Sequence, residues 1–393
     1  MSPPSAQTAV ALLALAVWVY LLLARGGFWR CTVRDDRAAP AADPLRWPAV
    51  MAVVPARNEA DILPESLATL LRQDYPGPFS VIVVDDNSDD ATLACARELA
   101  AAAPGRLAIV QGAPLAPGWT GKLWALSQGI ERAEASSGPP DYLLLTDADI
   151  GYRPGALRAL VRRAEAGQLA LASLMAKLRC RSLAERALIP AFIFFFQMLY
   201  PFAWVNRRDA PAAAAAGGCL LARRTALARA GGIGSIRGAL IDDCALAARL
   251  KRQGPIWLGL TEQVHSLRPY PSLGDIRRMV ARSAYAQLRF SPWLLAATIA
   301  GLALAYLAAP IIALSGSAMA RWCAAGAWLL MALAFLPTVR FYGLSPLWAP
   351  MLPAIAAVYM AFTIDSAVQH ARGRGGLWKD RVQAPAAVAR SAE

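Results

Sequence analysis

The sequence predicts an α/β fold, with one domain over residues 48–290 that contains a mostly parallel sheet and membrane helices on both sides of it. Two features of the chain support this prediction. From residue 48 onward, short apolar runs alternate with segments of helical spacing in the order β-α-β-α-β-α-β, which is typical of a parallel sheet covered by helices. Outside this region lie long uncharged stretches, and 57% of the 393 residues are hydrophobic.

The predicted elements follow one another closely along the chain. "AVMAVVPARNEA" supplies a buried strand ending at Pro55, and "DILPESLATLLRQD" supplies a helix with its apolar residues on one face. "SVIVVDDNSDDAT" and "RLAIVQG" are the second and third strands. "KLWALSQGIERA" is a further helix, and "DYLLLTDAD" is the fourth strand.

Three of these strands end in polar clusters: Arg57, Asn58 and Glu59 after the first, residues 85–90 after the second, and Asp147 with Asp149 after the fourth. In open α/β sheets, ligands bind beyond the carboxyl ends of the strands. Two carboxylates one residue apart can reach one divalent cation, and Mg²⁺ or Mn²⁺ takes oxygen ligands while keeping positions open for phosphate. Asp147 and Asp149 therefore predict a metal bound to a diphosphate. Each cluster has a simpler alternative as a capped or solvated turn.

Four uncharged stretches are candidate membrane helices: residues 7–24, 292–315, 322–339 and 341–364. No Lys or Arg precedes the first stretch, whereas Arg25, Arg30, Arg34 and Arg37 follow it, which predicts an uncleaved anchor over residues 1–25 with the next domain in the cytoplasm. Residues 292–365 would hold about three crossings. Three crossings would place the basic tail, residues 366–393, outside, against the preference of its charges, unless one segment is re-entrant.

Composition excludes several other classes of function. The six cysteines show no CxxC pairing and there are only two histidines, so a structural zinc site, a disulfide framework and a Ser-His-Asp mechanism are poorly supported. The net charge of +13 suits an anionic membrane leaflet. No motif indicates nucleic acid binding, and the sequence identifies no protein partner.

The motifs "VVPARNE", "VIVVDDNSDDAT", "GWTGKLWAL", "LLLTDAD" and "IDDCALAARL" together resemble the family 2 inverting glycosyltransferases of the GT-A (Rossmann-like) fold, over roughly residues 48–290. Within that family, the flanking membrane segments, "GWTGK" and "IPAFIFFFQMLYPFAWVN" are similar to the hopene-associated glycosyltransferases of bacterial hopanoid gene clusters. This resemblance implies a nucleotide-sugar donor, usually UDP-linked, a divalent cation, a lipid acceptor such as a hopanoid or polyisoprenoid, and a location in the bacterial inner membrane.

The resemblance also implies the residues that bind the donor: Pro55, Arg57, Glu59, Asp86, Lys122, Asp147 and Arg289. Glu59 would lie near the ribose or base, and Asp86 would accept a hydrogen bond from the uracil imide. Lys122 would contact the nucleotide or its phosphates. Its alternative is a surface lysine at a helix start, since "GWTGKL" is not a P-loop.

The acidic pair Asp242 and Asp243 opens a predicted helix in "GALIDDCALAARLKRQG". The related family motif is Glu-Asp, with the second acid as general base, so the resemblance implies Asp243 as the base and Asp242 as its catalytic neighbour. One base without a nucleophile implies direct displacement and inversion. The alternative is helix capping and dipole compensation, which is common for Asp in a first turn.

The family's Gln-x-x-Arg-Trp signature has a partial counterpart in "RSAYAQLRFSPW". Gln287 is one position too close to Arg289, and Phe290 replaces the tryptophan. Arg289 would bind phosphate, because a guanidinium matches phosphate geometry. A basic flank before the next membrane helix is the alternative.

A fifth apolar stretch, residues 187–206, is long enough to span but contains Pro190 and Pro201. If Asp149 and Asp243 share one active site, this stretch cannot cross the membrane, because a crossing would separate them. We predict an interfacial or re-entrant segment, which suits a lipid acceptor entering from the bilayer.

The predicted function is transfer of a sugar from a UDP-sugar to a lipid hydroxyl by a membrane-bound inverting glycosyltransferase. A processive polysaccharide synthase of the same fold is one alternative, although it would usually need more crossings. A non-catalytic membrane scaffold that retains the fold is the other.

Overall fold

The structure, a computed structural model, describes residues 6–37, 42–378 and 381–382. Within these residues, eight strands form one sheet in the order β3-β2-β1-β4-β7-β6-β8-β5. The strands are β1 Val50–Ala56, β2 Phe79–Asp85, β3 Leu107–Gln111, β4 Tyr142–Thr146, β5 Ile150–Tyr152, β6 Leu171–Lys177, β7 Cys219–Arg223 and β8 Ile256–Ser266. A separate antiparallel pair joins β9 Leu377–Trp378 to β10 Arg381–Val382.

The α-helices, labelled α1 to α15 in this order, are Ala6–Ala24, Leu63–Leu71, Thr92–Ala102, Gly121–Glu134, Ala156–Ala166, Leu183–Leu199, Phe202–Val205, Arg224–Arg229, Asp242–Lys251, Leu273–Ala281, Ala284–Gln287, Pro292–Leu302, Ala308–Ser315, Ala318–Phe341 and Leu352–Ala371. A π-helical turn, Ala303–Leu307, joins α12 to α13, so that Pro292–Ser315 forms one apolar helix. Short 3₁₀ turns occupy Phe28–Arg30, Ile233–Ile236 and Pro346–Met351.

The predicted α/β fold with a mostly parallel sheet is confirmed. Strands β1 to β4 pair in parallel, and each is followed by a helix or a polar loop at its carboxyl end. Alternate residues of a strand face opposite layers: Val53 packs toward α4 on one side, whereas Val54 packs toward Leu63 and Leu67 of α2 on the other. The centre of the sheet is thus buried on both faces, and only its edges can hold a polar ligand.

The sheet continues beyond the predicted strands. Antiparallel β7 joins β4 to β6, and β6 pairs in parallel with β8, which carries the short β5 at the edge. These four strands were missing from the sequence prediction, because β5 has only three residues and β6 and β7 resemble the alanine-rich segments around them. The antiparallel turn brings the start of β7 to the same edge at which β4 ends, since Thr146 lies opposite Cys219.

Among the described residues, four helices are long and apolar enough to cross a membrane: Ala6–Ala24, Pro292–Ser315, Ala318–Phe341 and Pro346–Ala371. The predicted bounds of the last two stretches differ from the structure at both ends. The third helix is Ala318–Phe341 rather than 322–339, and the last segment is Pro346–Ala371 rather than 341–364, because uncharged stretches mark apolar segments and not helix caps. The predicted basic tail lies partly outside the described residues, which lack 379–380 and 383–393.

Small residues and an indole hydrogen bond connect the first of these apolar helices to the later ones. Ala14 of α1 and Ala327 of α14 are fully buried, as expected where helix backbones approach closely. Trp18 donates a 2.7 Å hydrogen bond from Nε1 to the carbonyl of Ala305, in the π-helical turn. A π-helical turn disturbs the regular hydrogen-bond ladder, and the indole supplies a donor there.

The predicted interfacial stretch forms α6 and α7, with the break at Tyr200 and Pro201. A capping box between Ser182 and Glu185 begins α6. The helix then lies between the α/β domain and the apolar helices: Phe194 packs 5.4 Å from Phe335 of α14, measured between ring centroids. Pro190 is accommodated inside the helix, which at 17 residues is shorter than the four candidate spans.

The last apolar segment starts beside the α/β domain. The ring of Phe341, at the end of α14, lies 4.7 Å from Lys177 Nζ at the end of β6. From there the chain runs back along α14 as far as Pro350, whose carbonyl accepts a 2.9 Å hydrogen bond from Trp328 Nε1. Since Trp328 is 13 positions before Phe341 and an α-helix rises about 1.5 Å per residue, Pro350 lies roughly 20 Å from the domain end of α14.

α15 then leads back to the α/β domain. Tyr359 donates a 2.9 Å hydrogen bond from its hydroxyl to the carbonyl of Leu188 in α6. Further along the same helix, the hydroxyl of Ser366 donates a 2.5 Å hydrogen bond to the carbonyl of Ala281 in α10. The chain from Phe341 to Ala371 therefore begins and ends on the same side as the domain.

Candidate active site

Lys122 joins the two acidic motifs of the chain. Its Nζ lies 2.8 Å from Asp147 Oδ1 and 3.1 Å from Asp242 Oδ2. Asp147 directly follows β4, and Asp242 is in the first turn of α9. Lys122 is in the first turn of α4, where the hydroxyl of Thr120 caps the helix by accepting from the amide of Leu123 at 3.4 Å. The sheet and two helix starts thus bring one amine between two distant carboxylates.

The side chain of Lys122 is only 18% exposed and lies over an apolar floor. The recess around it is lined by Leu123, Leu126, Leu145, Leu220, Ile233, Ile236 and Leu246, with the polar residues at its rim. Burial favours the neutral amine, but the charges of Asp147 and Asp242 outweigh it and hold the pKa of Lys122 above its ordinary value. The amine is therefore a fixed positive charge at the sheet edge.

Asp243 lies beside this cluster but has a different environment. Its Oδ2 accepts a 2.9 Å hydrogen bond from the amide of Gly217, and its Oδ1 accepts one of 2.7 Å from the amide of Cys244. Burial and the neighbouring charge of Asp242 raise the pKa of Asp243 to about 6, against the opposing charge of Lys122. A carboxylate with such a pKa accepts a proton more readily than an ordinary aspartate.

Gly217 permits this arrangement because it has no side chain. A Cβ atom at residue 217 would lie 3.2 Å from Lys122 Nζ and 3.5 Å from Asp243 Oδ2. The sequence analysis missed this glycine, although its position two residues before β7, in "AAGGCLL", is a signal for close backbone approach.

Arg268 forms a second cluster with Glu59 and Asp149. Its Nη2 lies 2.6 Å from Glu59 Oε1 and 2.5 Å from Oε2, and its Nε donates to Asp149 Oδ2 at 2.7 Å. Burial favours the neutral guanidine, but Asp149 and Glu59 hold the pKa of Arg268 above its ordinary value. The sequence analysis missed Arg268, although it follows β8 by two residues and β8 ends at the same polar edge.

Arg57 connects the loop that follows β1 to the loop that follows β2. Its Nη1 donates to the carbonyls of Asp86 at 2.7 Å and Asn87 at 2.6 Å, and its Nη2 lies 3.2 Å from Asp89 Oδ2. Asp86 is fully buried between these loops, and Pro55 lies within β1 opposite Val84. Arg57 thus has a structural role, because it holds the two loops together. The side chain of Glu59, in contrast, lies at the polar edge of the sheet.

The structure does not bring Arg289 into the acidic cluster: its side chain is exposed, and no described contact joins it to Lys122 or the aspartates. Its backbone adopts a left-handed conformation with φ of 51°, and Phe290 follows with φ of 56°. Phe290 stacks on His370 of α15, with 4.4 Å between the ring centroids. Gln287 is the residue of this stretch that faces the site, since its amide contacts the hydroxyl of Tyr200 at the end of α6.

The donor set at the end of β4 fits a hard divalent cation only in part. Asp147 and Asp149 each use one oxygen to hold a protein cation, and each has a second oxygen for a metal. Within the described residues, no third acid, histidine or cysteine completes a metal-binding group with them. Mg²⁺ and Mn²⁺ sites commonly take one or two carboxylates and complete their shell with phosphate and water, and these two residues meet that requirement.

Comparison with known proteins identifies the family. Residues 48–261 match the family described as glycosyltransferase like family 2, and this match covers more than half of the chain. The protein belongs to that family. It is a glycosyltransferase that acts on nucleotide sugars, and the inverting mechanism is typical of the family. No curated protein sequence matches the chain.

A solved structure shares the fold of this chain. The mannosyltransferase PcManGT from Pyrobaculum calidifontis, in complex with GDP-Man and Mn²⁺, superposes with a TM-score of 0.58 at 22% identity over 95% of this chain and 100% of that one. TarS of S. aureus gives a TM-score of 0.41 at 15% identity over 81% of this chain and 54% of that one. At 22% identity, the first similarity establishes the GT-A-like fold alone.

The ion pair between Arg268 and Glu59 should be visible in thermal unfolding. Glu59 is only 7% exposed, so that Arg268→Met leaves a buried carboxylate short of its cation and should lower the melting temperature by several degrees. Glu59→Gln together with Arg268→Met should cost less than the two single changes added, by roughly 1–3 kcal/mol. Melting of the full chain in detergent measures this.

The exposed pair Arg207 and Asp209 provides the matched control, since Arg207→Met and Asp209→Asn should each change the melting temperature very little. Additive effects of Arg268→Met and Glu59→Gln would contradict the interpretation that the two side chains act as one unit.

Proposed function

We propose that the protein transfers a sugar from a UDP-sugar to a hydroxyl of a membrane lipid, with Asp243 as the general base. The observation that carries this proposal is the meeting of Asp147 and Asp242 at Lys122 Nζ, at 2.8 and 3.1 Å. Donor-binding and proton-accepting groups must flank one anomeric carbon, and this contact puts both acidic motifs around one recess. A hopanoid or another polyisoprenoid is the acceptor that the sequence resemblance favours.

The donor would lie across the carboxyl ends of β1, β2 and β4. Glu59 and Asp86 would contact the nucleoside, and Lys122 and Arg268 would face the diphosphate, because each is a buried cation at the polar edge. The uracil assignment comes from the family resemblance, whereas PcManGT was solved with a guanosine nucleotide. Competition between UDP and GDP for the purified protein distinguishes the two bases.

A divalent cation would be held by Asp147 and Asp149. When bound, such an ion neutralises charge on a departing diphosphate. Lys122 and Arg268 already pair with these carboxylates and hold them close to the donor site. Arg289 has no described contact that supports its proposed role in phosphate binding, and Gln287 with Tyr200 is better placed near the base.

Asp243 is better suited than Asp242 to accept the proton of the acceptor hydroxyl. Asp242 is engaged by the Lys122 ammonium at 3.1 Å, so this carboxylate already has a cation as its partner. Asp243 is held by two backbone amides and has a pKa raised to about 6. With one base and no nucleophile at the anomeric carbon, displacement inverts the configuration.

The acceptor would reach Asp243 from the membrane side along α6. Tyr200, at the carboxyl end of α6, bonds Gln287 and lies beside Cys244, the residue after the base. Since α6 packs on the apolar helices through Phe194 and Phe195, a lipid at the bilayer surface would have its hydroxyl near this end. This arrangement also supports an interfacial location for residues 187–206.

The arrangement of the last apolar segment supports a re-entrant topology. The chain contacts the α/β domain at Phe341, just before this segment, and again at Ser366 near its end, and in between it reaches back along α14 only as far as Trp328. The chain would then cross the bacterial inner membrane three times, with the domain and the carboxyl terminus both in the cytoplasm. This topology satisfies the positive-inside preference of Arg25 and Arg30 and of the basic tail together.

Replacement of Asp243 by asparagine should remove the base and leave the donor site. We expect Asp243→Asn to lower turnover by about 10²- to 10⁴-fold while UDP binding changes little. The measurements are UDP release with Mn²⁺ and nucleotide titration calorimetry. The exposed Asp209→Asn serves as the control for charge, and retained turnover in Asp243→Asn would assign the base to another residue.

The rate should depend on the ionisation of Asp243. Below pH about 6 its carboxyl group is protonated and cannot accept a proton, so kcat/KM should rise with pH through a midpoint near 6. Because the charge of Asp242 helps to raise this pKa, Asp242→Asn should move the midpoint to lower pH. An unchanged or higher midpoint in that variant would contradict the assignment.

The re-entrant topology predicts where the carboxyl terminus lies. A tag at the end of the chain should be labelled in inverted inner-membrane vesicles and protected in intact spheroplasts, like a tag in the exposed loop at Gly138 of the domain. Opposite labelling of the two tags would show that Pro346–Ala371 crosses the membrane.

A further inference from the structure

A cavity of about 540 Å³ lies where α1 leaves its apolar stretch, and neither Lys122 nor the acidic motifs line it. Three parts of the chain line it: residues 22–24 and 26–28 at the end of α1, residues 30–33 in the connection to the domain, and Gln197 with residues 202–204 of α7. The first part belongs to a candidate membrane span, whereas the second leads into the α/β domain. The cavity therefore extends from an apolar to a polar environment.

Two arginines give the cavity a positive rim. Arg30 is exposed and lines it directly. Arg25 lies against its wall, with the guanidinium 5.1 Å from the ring centroid of Trp204 and Nε donating to the carbonyl of Met198 at 3.1 Å. No Asp or Glu is among the described lining residues, so the charge of these arginines is not compensated inside the cavity.

The inner wall carries a buried polar group. Gln197 is 2% exposed, and its Nε2 donates a long 3.7 Å hydrogen bond to Cys31 Sγ. Sulfur is a weak acceptor, and a buried amide normally has stronger partners for both its oxygen and its nitrogen. A ligand hydroxyl in the cavity would provide such a partner. Arginines at the rim and an amide inside thus fit a phosphate diester that carries a polyol headgroup.

The apolar side of the rim distinguishes a lipid from a soluble phosphate. Leu23, 79% exposed, stands at the end of the span next to the cavity, where acyl chains of a bilayer would lie. Trp29 and Trp204 flank the cavity, and tryptophan is enriched at the headgroup level of membranes. Soluble phosphate would use the arginines but gain nothing from this apolar edge.

We propose that the protein binds one anionic phospholipid, of the phosphatidylglycerol type, with its headgroup in this cavity and its acyl chains along the end of α1. Lys122, the aspartates of the candidate active site and Tyr200 are not among the residues that line the cavity. The site fixes the depth of α6 and α7 at the membrane surface, because Arg25 and Trp204 connect the cavity wall to the end of α6.

Native mass spectrometry of the full-length protein in mild detergent tests this site without any glycosyl transfer. Titration with short-chain phosphatidylglycerol should give one saturable lipid per chain, and phosphatidylcholine should bind much more weakly. Arg30→Gln should weaken phosphatidylglycerol binding about fivefold, as expected for one arginine near an anionic headgroup. Arg37→Gln, with the same change in net charge at an exposed residue that does not line the cavity, should leave binding unchanged.

Ala203→Trp provides a second variant that fills the cavity without changing charge, since Ala203 is exposed and lines it. This variant should abolish the saturable lipid while UDP binding persists. If Arg30→Gln and Arg37→Gln weakened phosphatidylglycerol binding equally, the effect would come from general surface charge, and the proposal would be overturned. Full competition by glycerol phosphate at equal concentration would also overturn it, because a soluble anion would then be the ligand.

Discussion

The contact of Lys122 with Asp147 and Asp242 is the interaction on which the candidate site depends. Three like charges, Asp147, Asp242 and Asp243, come together at one sheet edge, and their mutual repulsion would separate them without a cation between them. Lys122 occupies that place because Thr120 starts α4 there and Gly217 leaves room for the amine. The same ammonium gives the two adjacent acids different environments. It pairs directly with Asp242, while Asp243 accepts hydrogen bonds from backbone amides and has a raised pKa.

Arg268 has a corresponding function at the neighbouring part of the same sheet edge. It links Glu59 after β1 to Asp149 after β4, so the loops that would hold the nucleoside and the diphosphate share one guanidinium. Arg57 ties the loop after β1 to the loop after β2 through backbone carbonyls. A planar group with several donors can bridge carboxylates and carbonyls that an ammonium could not span. The proposed donor site would therefore be organised by cations that the protein itself supplies.

The membrane part of the chain is arranged around α6. This helix packs against α14 and α15 with its phenylalanines, and its end places Tyr200 beside Cys244 and Gln287. Apolar composition alone treats α6 and the segment Pro346–Ala371 as similar to the other spans, yet the contacts of both return to the α/β domain. Packing against neighbouring helices, rather than hydropathy, thus supports the topology proposed for these two segments.

The sequence by itself determined the family, the α/β alternation of residues 48–149 and the strand-end acids, because strand periodicity and the motifs around Asp86, Asp147 and Asp243 are local in the chain. It also located the four long apolar helices, although not the ends of the last two. It could not supply β5 to β8, the partners of Lys122, or the role of Arg268, since these depend on residues far apart in sequence. Arg289 shows the converse: its residue type suited phosphate, but a turn with positive φ leaves it exposed. Only the tertiary structure decided which charges neutralise one another, because ion pairing depends on distance in space and the chain order carries no record of that distance.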